Sequence, residues 1–166
     1  MDTPIQKFSV GGLKLSTELI QIQLFSNAPV PLNEIFRRLT DRQINLTGVS
    51  LEAIDGQLTG ICCLASEDRG RAEHVLQPFE GSFELRSPVG TLTIFPHLSR
   101  LELIGQILSA LGRIGLPVYG LASSHSSLTI TTDYHRLDEA VSAICRLVTL
   151  PDNHAPFRPE FRVKQL

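Results

Sequence analysis

The 166-residue sequence predicts an α+β fold built from two tandem βαββαβ units, each an antiparallel four-stranded sheet with two helices on one face. Two observations carry this prediction. The first is an internal repeat. The run Arg42-Gln43-Ile44-Asn45-Leu46-Thr47-Gly48-Val49-Ser50 returns 72 positions later as Ile114-Gly115-Leu116-Pro117-Val118-Tyr119-Gly120-Leu121-Ala122. Leu32, Ile35, Phe36 and Leu39 recur at the same offset as Ile104, Ile107, Leu108 and Leu111. Leu58-Thr59 returns as Leu128-Thr129, and Pro78-Phe79 with Phe83 returns as Pro156-Phe157 with Phe161. An offset this long is a duplicated small domain, not a stacked solenoid. The second observation is that hydrophobic periodicity switches between 2 and 3.6 in the same order in both copies.

In the first copy, residues 7–15 read as an extended segment with a glycine bend. From Glu18 to Phe25, Ile20, Ile22 and Leu24 alternate with Leu19 on the other face, which predicts a half-buried strand. Pro29 and Pro31 punctuate a loop and open a helix, where Leu32, Ile35, Phe36 and Leu39 form an amphipathic stripe. Residues 45–52 and 57–65 are strands joined by Asp55-Gly56, a tight hairpin turn. Ser66 is expected to cap a short helix that buries Ala72, Val75 and Leu76. Phe83 and Leu85 belong to a closing strand.

In the second copy Thr91–Phe95 reads as a strand and 101–113 as a helix with Leu101, Ile104, Leu108 and Leu111 inward. Strands at 116–123 and 127–133 flank a Ser/His turn. A helix over 136–149 places Leu137, Ala140, Val141, Ile144 and Val148 on one face, with Asp138 and Glu139 at the positive end of its dipole. After a loop at 150–156, residues 161–166 and the opening segment 1–17 compete to complete the second sheet. The expected domains are 18–88 and 89–166, each a ferredoxin-like sandwich.

Composition narrows the function classes. Hydrophobic content of 42% and charged content of 19% are ordinary for a globular chain. A net charge of −2 leaves no basic footprint for nucleic acid, and the strands lack the aromatic pattern that stacks RNA bases. No apolar run approaches a membrane span. Met1-Asp2-Thr3-Pro4 lacks the basic and apolar regions of a signal peptide, so a cytoplasmic location is expected. Cys62, Cys63 and Cys145 form neither a redox nor a zinc pattern and read as small buried hydrophobes. His74, His97, His135 and His154 lack metal-ligand spacing, so neither metal nor cofactor is expected. The serines around His125 read as a solvated hairpin, because no orienting carboxylate is close in sequence.

Three stretches then carry a resemblance. Ser9-Val10-Gly11-Gly12-Leu13 followed by Glu18-Leu19-Ile20-Gln21-Ile22, the turn Arg42-Gln43-Ile44-Asn45-Leu46, and the hairpin Leu121 to Ile130 followed by Asp138-Glu139-Ala140-Val141 resemble the regulatory region of aspartokinases. That region is a tandem pair of ACT domains. The resemblance spans Phe8 to Val148. No Gly-rich phosphate cradle with its lysine is present, as the kinase part of such an enzyme would need. What the resemblance implies is a non-catalytic module that senses a small amino acid at an interface between ACT domains, as a homodimer or with a protein partner.

In ACT domains the ligand meets the loop before the first helix and the second strand of a neighbouring domain. The resemblance places Ser26, Asn27, Ala28, Pro29 and Val30 in that loop, and Asn45 and Thr47 on that strand. Asn27 and Thr47 replace acids, and Val30 replaces a glycine that permits close backbone approach. Loss of two carboxylates removes Coulombic partners for a cationic effector. Asn27 reads equally as a turn residue bonding its own backbone, and Asn45 as a residue leading into a strand. In the second copy Leu101, Glu102 and Pro117 occupy the matching positions, and a structural role is expected there. The competing reading is a structural or interaction protein whose ligand loop has decayed and whose ACT pair mediates dimerisation or partner binding.

Overall fold

The computed structural model describes residues 7–25, 32–55, 57–98 and 100–158. In chain order its elements are β1 (Phe8–Ser9), β2 (Gly12–Leu15), β3 (Leu19–Leu24), α1 (Leu32–Asp41), β4 (Leu46–Ile54), β5 (Gln57–Ala65), α2 (Arg69–Leu76), β6 (Phe83–Phe95), α3 (Leu101–Arg113), β7 (Gly120–Ser123), β8 (Leu128–Asp133), α4 (Leu137–Ile144) and β9 (Val148–Thr149). They group into two compact units, residues 18–89, and residues 90–158 with 7–17. The boundary falls inside β6. The sequence had suggested separate strands near 83–85 and 91–95, whereas the structure runs them together as one.

In the unit of residues 18–89 the strand order is β4-β5-β3 followed by the first half of β6. All three pairings are antiparallel. Ile20, Ile22 and Leu24 of β3 meet Ile35 and Leu39 of α1 and Ala72, Val75 and Leu76 of α2 in one core. Asp55, with φ of 51°, turns the β4–β5 hairpin, and Gly56 lies outside the described residues. Ser66 does not cap a helix. It opens a 3-10 turn, Ser66–Asp68, ahead of α2, and its N–H goes to the Glu18 carbonyl at 3.3 Å. The other face of β3 is not solvated either: Leu19 and Gln21 are both buried. The amide oxygen of Gln21 accepts from Arg86 Nη1 at 2.9 Å, which satisfies that buried acceptor.

In the other unit the order is β7-β8, then the second half of β6, then β2. The fourth place is thus taken by the opening segment, with Gly12 opposite Phe95 and Leu15 opposite Leu92. Residues 161–166 lie outside the described residues. Leu13, Leu92, Ile94, Leu103, Ile107, Leu128 and Ile144 share one core. The strand expected from 116 starts only at Gly120. Pro117 has no N–H for a ladder, and its carbonyl instead accepts from Thr132 Oγ1 at 2.6 Å.

Two helical expectations need correction. In α3 the buried side chains are Leu103, Ile107 and Leu111, while Leu101 is 81% exposed and Leu108 is also exposed. Apolar residues at 101, 103, 104, 107, 108, 110 and 111 nearly encircle this helix, so periodicity alone allows more than one inward face. The last helix ends at Ile144, well before 149. Val148, buried as expected, lies on β9 instead, paired in parallel with Phe8 of β1. β-branched Val148 and Thr149 favour that extended pairing over another helical turn.

The duplication is most exact where α1 and α3 end. Gln43 and Gly115, 72 positions apart, both take positive φ, 55° and 62°. Each donates its N–H to a last-turn carbonyl, Thr40 at 2.8 Å and Gly112 at 3.0 Å. The next residues, Ile44 and Leu116, donate to Leu39 and Leu111 at 3.0 Å, closing the same C-terminal motif. An arginine of the following helical segment then caps each end. Arg71 Nη1 donates to the Arg42 carbonyl at 3.2 Å and also pairs with Asp68. Arg136 donates to the carbonyls of Ile114 and Gly115 and pairs with Glu139 at 2.8 Å. Aligned through the buried Ala72 and Ala140, these pairs occupy the same two positions with acid and base exchanged. The cap survives because its geometry needs only one guanidinium, whichever end of the pair carries it. Gln43→Gly should therefore raise stability by about 1 kcal/mol by removing the left-handed strain, and Gly115→Gln should lower it by a similar amount. Urea denaturation midpoints of the two variants would show opposite shifts.

Candidate functional site

Of the seven residues the sequence places at a ligand site, Ser26, Asn27, Ala28, Pro29 and Val30 lie outside the described residues. Their described neighbours are Phe25, whose N–H goes to the Ser82 carbonyl at 2.8 Å, and Leu32, the first residue of α1. Asn45 precedes β4, is exposed, and its side chain makes no hydrogen bond among the described residues. Thr47 stands at a β-bulge, where the register shifts between Leu46 and Gly48, and its hydroxyl donates to the Cys63 carbonyl at 3.2 Å. Bulges re-aim a strand, and here one residue of the candidate pair is bound to the backbone while the other is free.

Register decides what one unit can bring together. Leu46, next to Asn45, is opposite Leu64, which is opposite Ile20 near the start of β3. Leu24, where β3 ends before the loop, is opposite Gly60, and Gly60 is opposite Leu51 deep in β4. Ile20 and Leu24 are four residues apart, about 13 Å along a strand. Asn45 and the end of β3 therefore sit toward opposite ends of the same sheet.

In the second copy the matching described positions differ. Pro117 is tied to Thr132, and Leu101 projects to solvent. His97, which the sequence offered only as one of four scattered histidines, is almost wholly buried in the loop between β6 and α3. Its Nε2 lies 2.5 Å from the Ser124 carbonyl, and 3.4 Å from Ser123 Oγ. A carbonyl only accepts, so Nε2 carries the proton and cannot serve Ser123 as a base. Nδ1 has no partner among the described residues, so the orienting carboxylate of a catalytic serine–histidine arrangement is missing on that side. The serine turn itself is self-bonded: Ser124 Oγ accepts from the Ser127 N–H at 3.1 Å.

The cysteines are thiols without activation. Cys62 and Cys63 are buried, Cys62 in the core beneath the helices, and burial pushes both up to about 11. Among the described residues no three His, Cys, Asp or Glu side chains are placed to hold a metal ion, and no helix is long and apolar enough to cross a membrane.

No protein-family model matches the sequence, and no curated protein sequence matches it. Solved structures do. The regulatory subunit of aspartate kinase from Thermus thermophilus, in its ligand-free form, is similar with a TM-score of 0.72 at 17% identity, over 85% of this chain and 99% of that one. Aspartate kinase from Synechocystis is similar with a TM-score of 0.72 at 14% identity, over 89% of this chain but 29% of that one. Aspartokinase III from E. coli, solved in complex with lysine and aspartate, is similar with a TM-score of 0.64 at 14% identity, over 83% of this chain and 33% of that one. The chain thus shares the fold of the regulatory subunit of aspartate kinase.

Proposed function

We propose, from the tandem ACT fold, that this chain is a non-catalytic regulatory module that binds a small amino acid between ACT domains of two copies and passes the resulting preference to a protein partner. The observation that carries the reading is the register of residues 18–89. It separates Asn45 from Leu24, the last residue of the strand before positions 26–30, which supports a site completed by a second chain. The amide of Asn45, exposed and without a partner among the described residues, suits a ligand ammonium or carboxylate. The likeness to an aspartokinase solved with lysine and aspartate supports an amino-acid effector. The absence of the family's two acids at positions 27 and 47 favours a neutral or acidic amino acid over lysine. To regulate, the ligand must prefer one packing of the dimer, since equal affinity for two packings shifts neither.

Thermal denaturation across the twenty amino acids tests this directly. A ligand at 100 times its dissociation constant adds about 2.7 kcal/mol, which moves the midpoint of a small domain by several degrees. One selective hit is expected, weakened about tenfold in both Asn27→Ala and Asn45→Ala through loss of a hydrogen bond to a charged group. Unchanged affinity in both variants would remove the site from this position.

A second reading, an assembly protein with a decayed ligand loop, has its own observation. β4 ends the strand order of its unit and exposes Val49 and Leu51. An apolar edge strand is a template for pairing with another chain. A stable dimer indifferent to every amino acid would favour this alternative.

A further inference from the structure

The helices α1 and α2 leave a groove of about 270 Å³ between them, lined by Arg37, Arg38, Asp41, Arg42, His74 and Val75. In a chain of net charge −2, this concentration of guanidinium groups is a local exception. Their commitments differ. Arg37 is fully engaged, with Nε and Nη2 on Glu34 and Nη1 on Asp41. Arg38 is held by one edge, Nε to Glu34 at 2.8 Å, with its guanidinium over the Phe79 ring at 5.3 Å. Both of its terminal nitrogens remain without a partner among the described residues. Arg42 and His74 have no side-chain partner there at all. The groove thus presents one pre-oriented arginine and one free arginine.

The end of α1 would ordinarily repel an anion through its exposed carbonyls. Here those of Arg38, Leu39, Thr40 and Arg42 already accept hydrogen bonds, the last from the Arg71 guanidinium. The duplication also supplies an internal control. The matching groove between α3 and α4 is lined by Ile114, Asp138, Glu139, Ser142, Ala143 and Arg146. Aligned through the buried helix positions, Arg37, Arg38, Arg42 and His74 correspond to Ser109, Ala110, Ile114 and Ser142. The same fold closes the same groove with no arginine at these three positions, its one lining arginine being Arg146 at a non-matching place, so packing does not require Arg37, Arg38 or Arg42.

We infer that the α1–α2 groove of residues 18–89 is a binding site for a small phosphoryl-bearing anion, held by Arg38 and Arg42 with His74 alongside. Paired guanidinium forks match the oxygens of a phosphoryl group in geometry as well as charge, and an arginine already fixed in place loses little freedom on binding. This site is separate from the amino-acid position and does not depend on it.

The test is a ¹H–¹⁵N titration of the full chain with inorganic pyrophosphate, ionic strength held constant with NaCl, and with citrate as a second arm. Saturable shifts confined to residues 37–42 and 71–75 are expected. Arg42→Ala should weaken binding about tenfold, with partial rescue in Arg42→Lys, which keeps the charge but loses the fork. Arg146→Ala, in the other groove, should leave affinity unchanged. Both arginines are exposed, so the spectra of the variants should otherwise overlay. Non-saturating shifts that NaCl alone reproduces, or equal affinity in Arg42→Ala, would overturn the site. Citrate binding as tightly as pyrophosphate would overturn the phosphoryl assignment.

Discussion

Leu103→Ala is expected to cost about 2–5 kcal/mol, while Leu101→Ala, two residues away on the same helix, should change stability by less than about 0.5 kcal/mol. Leu103 is fully buried among Leu13, Ile94, Ile107 and Ile144, and truncating it leaves a cavity that this close-packed cluster can only partly refill. Leu101 is 81% exposed in the first turn of α3 and has almost no apolar contact to lose. Ile107→Ala should behave like Leu103→Ala, since both lie on the stripe that faces β6 and β2 through this core. The measurement is urea denaturation followed by circular dichroism, comparing midpoints at equal slope. Similar losses at 101 and 103 would mean that α3 is rotated from the orientation described here. The sequence pattern, which placed Leu101 inward, makes the opposite forecast, so the pair separates the two.

Gly90→Val should destabilise the same unit by about 3 kcal/mol, the upper part of the range for overpacking. Gly90 lies on β6 where α4 crosses closely. A Cβ there would stand 2.6 Å from Leu137 Cδ1 and 3.1 Å from Tyr134 Cδ2. The far end of a leucine can often move aside, but Leu137 is completely buried and has nowhere to go without disturbing Ala140 and Ile144. Gly90→Ala should show a smaller loss of the same sign, about 1 kcal/mol. Combining Gly90→Ala with Leu137→Val makes the argument specific. If the clash is with the Leu137 methyl, the double variant should lose less than the two single variants added together. Strict additivity would mean that the glycine is needed for its backbone and not for space.

Much of the architecture was legible because it is written in short-range patterns. The stripe Ile35 and Leu39, its echo Ile107 and Leu111, the alternation Ile20, Ile22, Leu24, and the hairpin turn at Asp55 all follow from periods of 3.6 and 2 or from turn chemistry. The echo of Gln43 in Gly115 marks where both first helices stop, although only the glycine announces a left-handed residue by itself. The inward face of α3 is not legible in the sequence, because apolar residues surround the helix. The last helix stops short of its sequence pattern because Val148 and Thr149 pair with β1, more than a hundred positions away in sequence. Gln21 is buried on the face opposite Ile20 and Ile22, because alternation marks one apolar face but does not say whether the other is wet.

For the candidate site the division is sharper. The sequence by itself determined the duplicated α+β units, the core of residues 18–89 and the residue types at the candidate ligand positions, because those depend on local periodicity and on a repeat visible to the eye. Only the tertiary structure decided that β2 fills the fourth place in the second sheet, and that Leu24 at the end of β3 and Asn45 before β4 stand toward opposite ends of one sheet. It also decided that Arg37, Arg38, Asp41 and Arg42, at the end of α1, and His74 of α2 line one groove. Strand order, register and helix pairing join residues distant in the chain, and no pattern within a single segment encodes which partner a strand edge or helix face will meet.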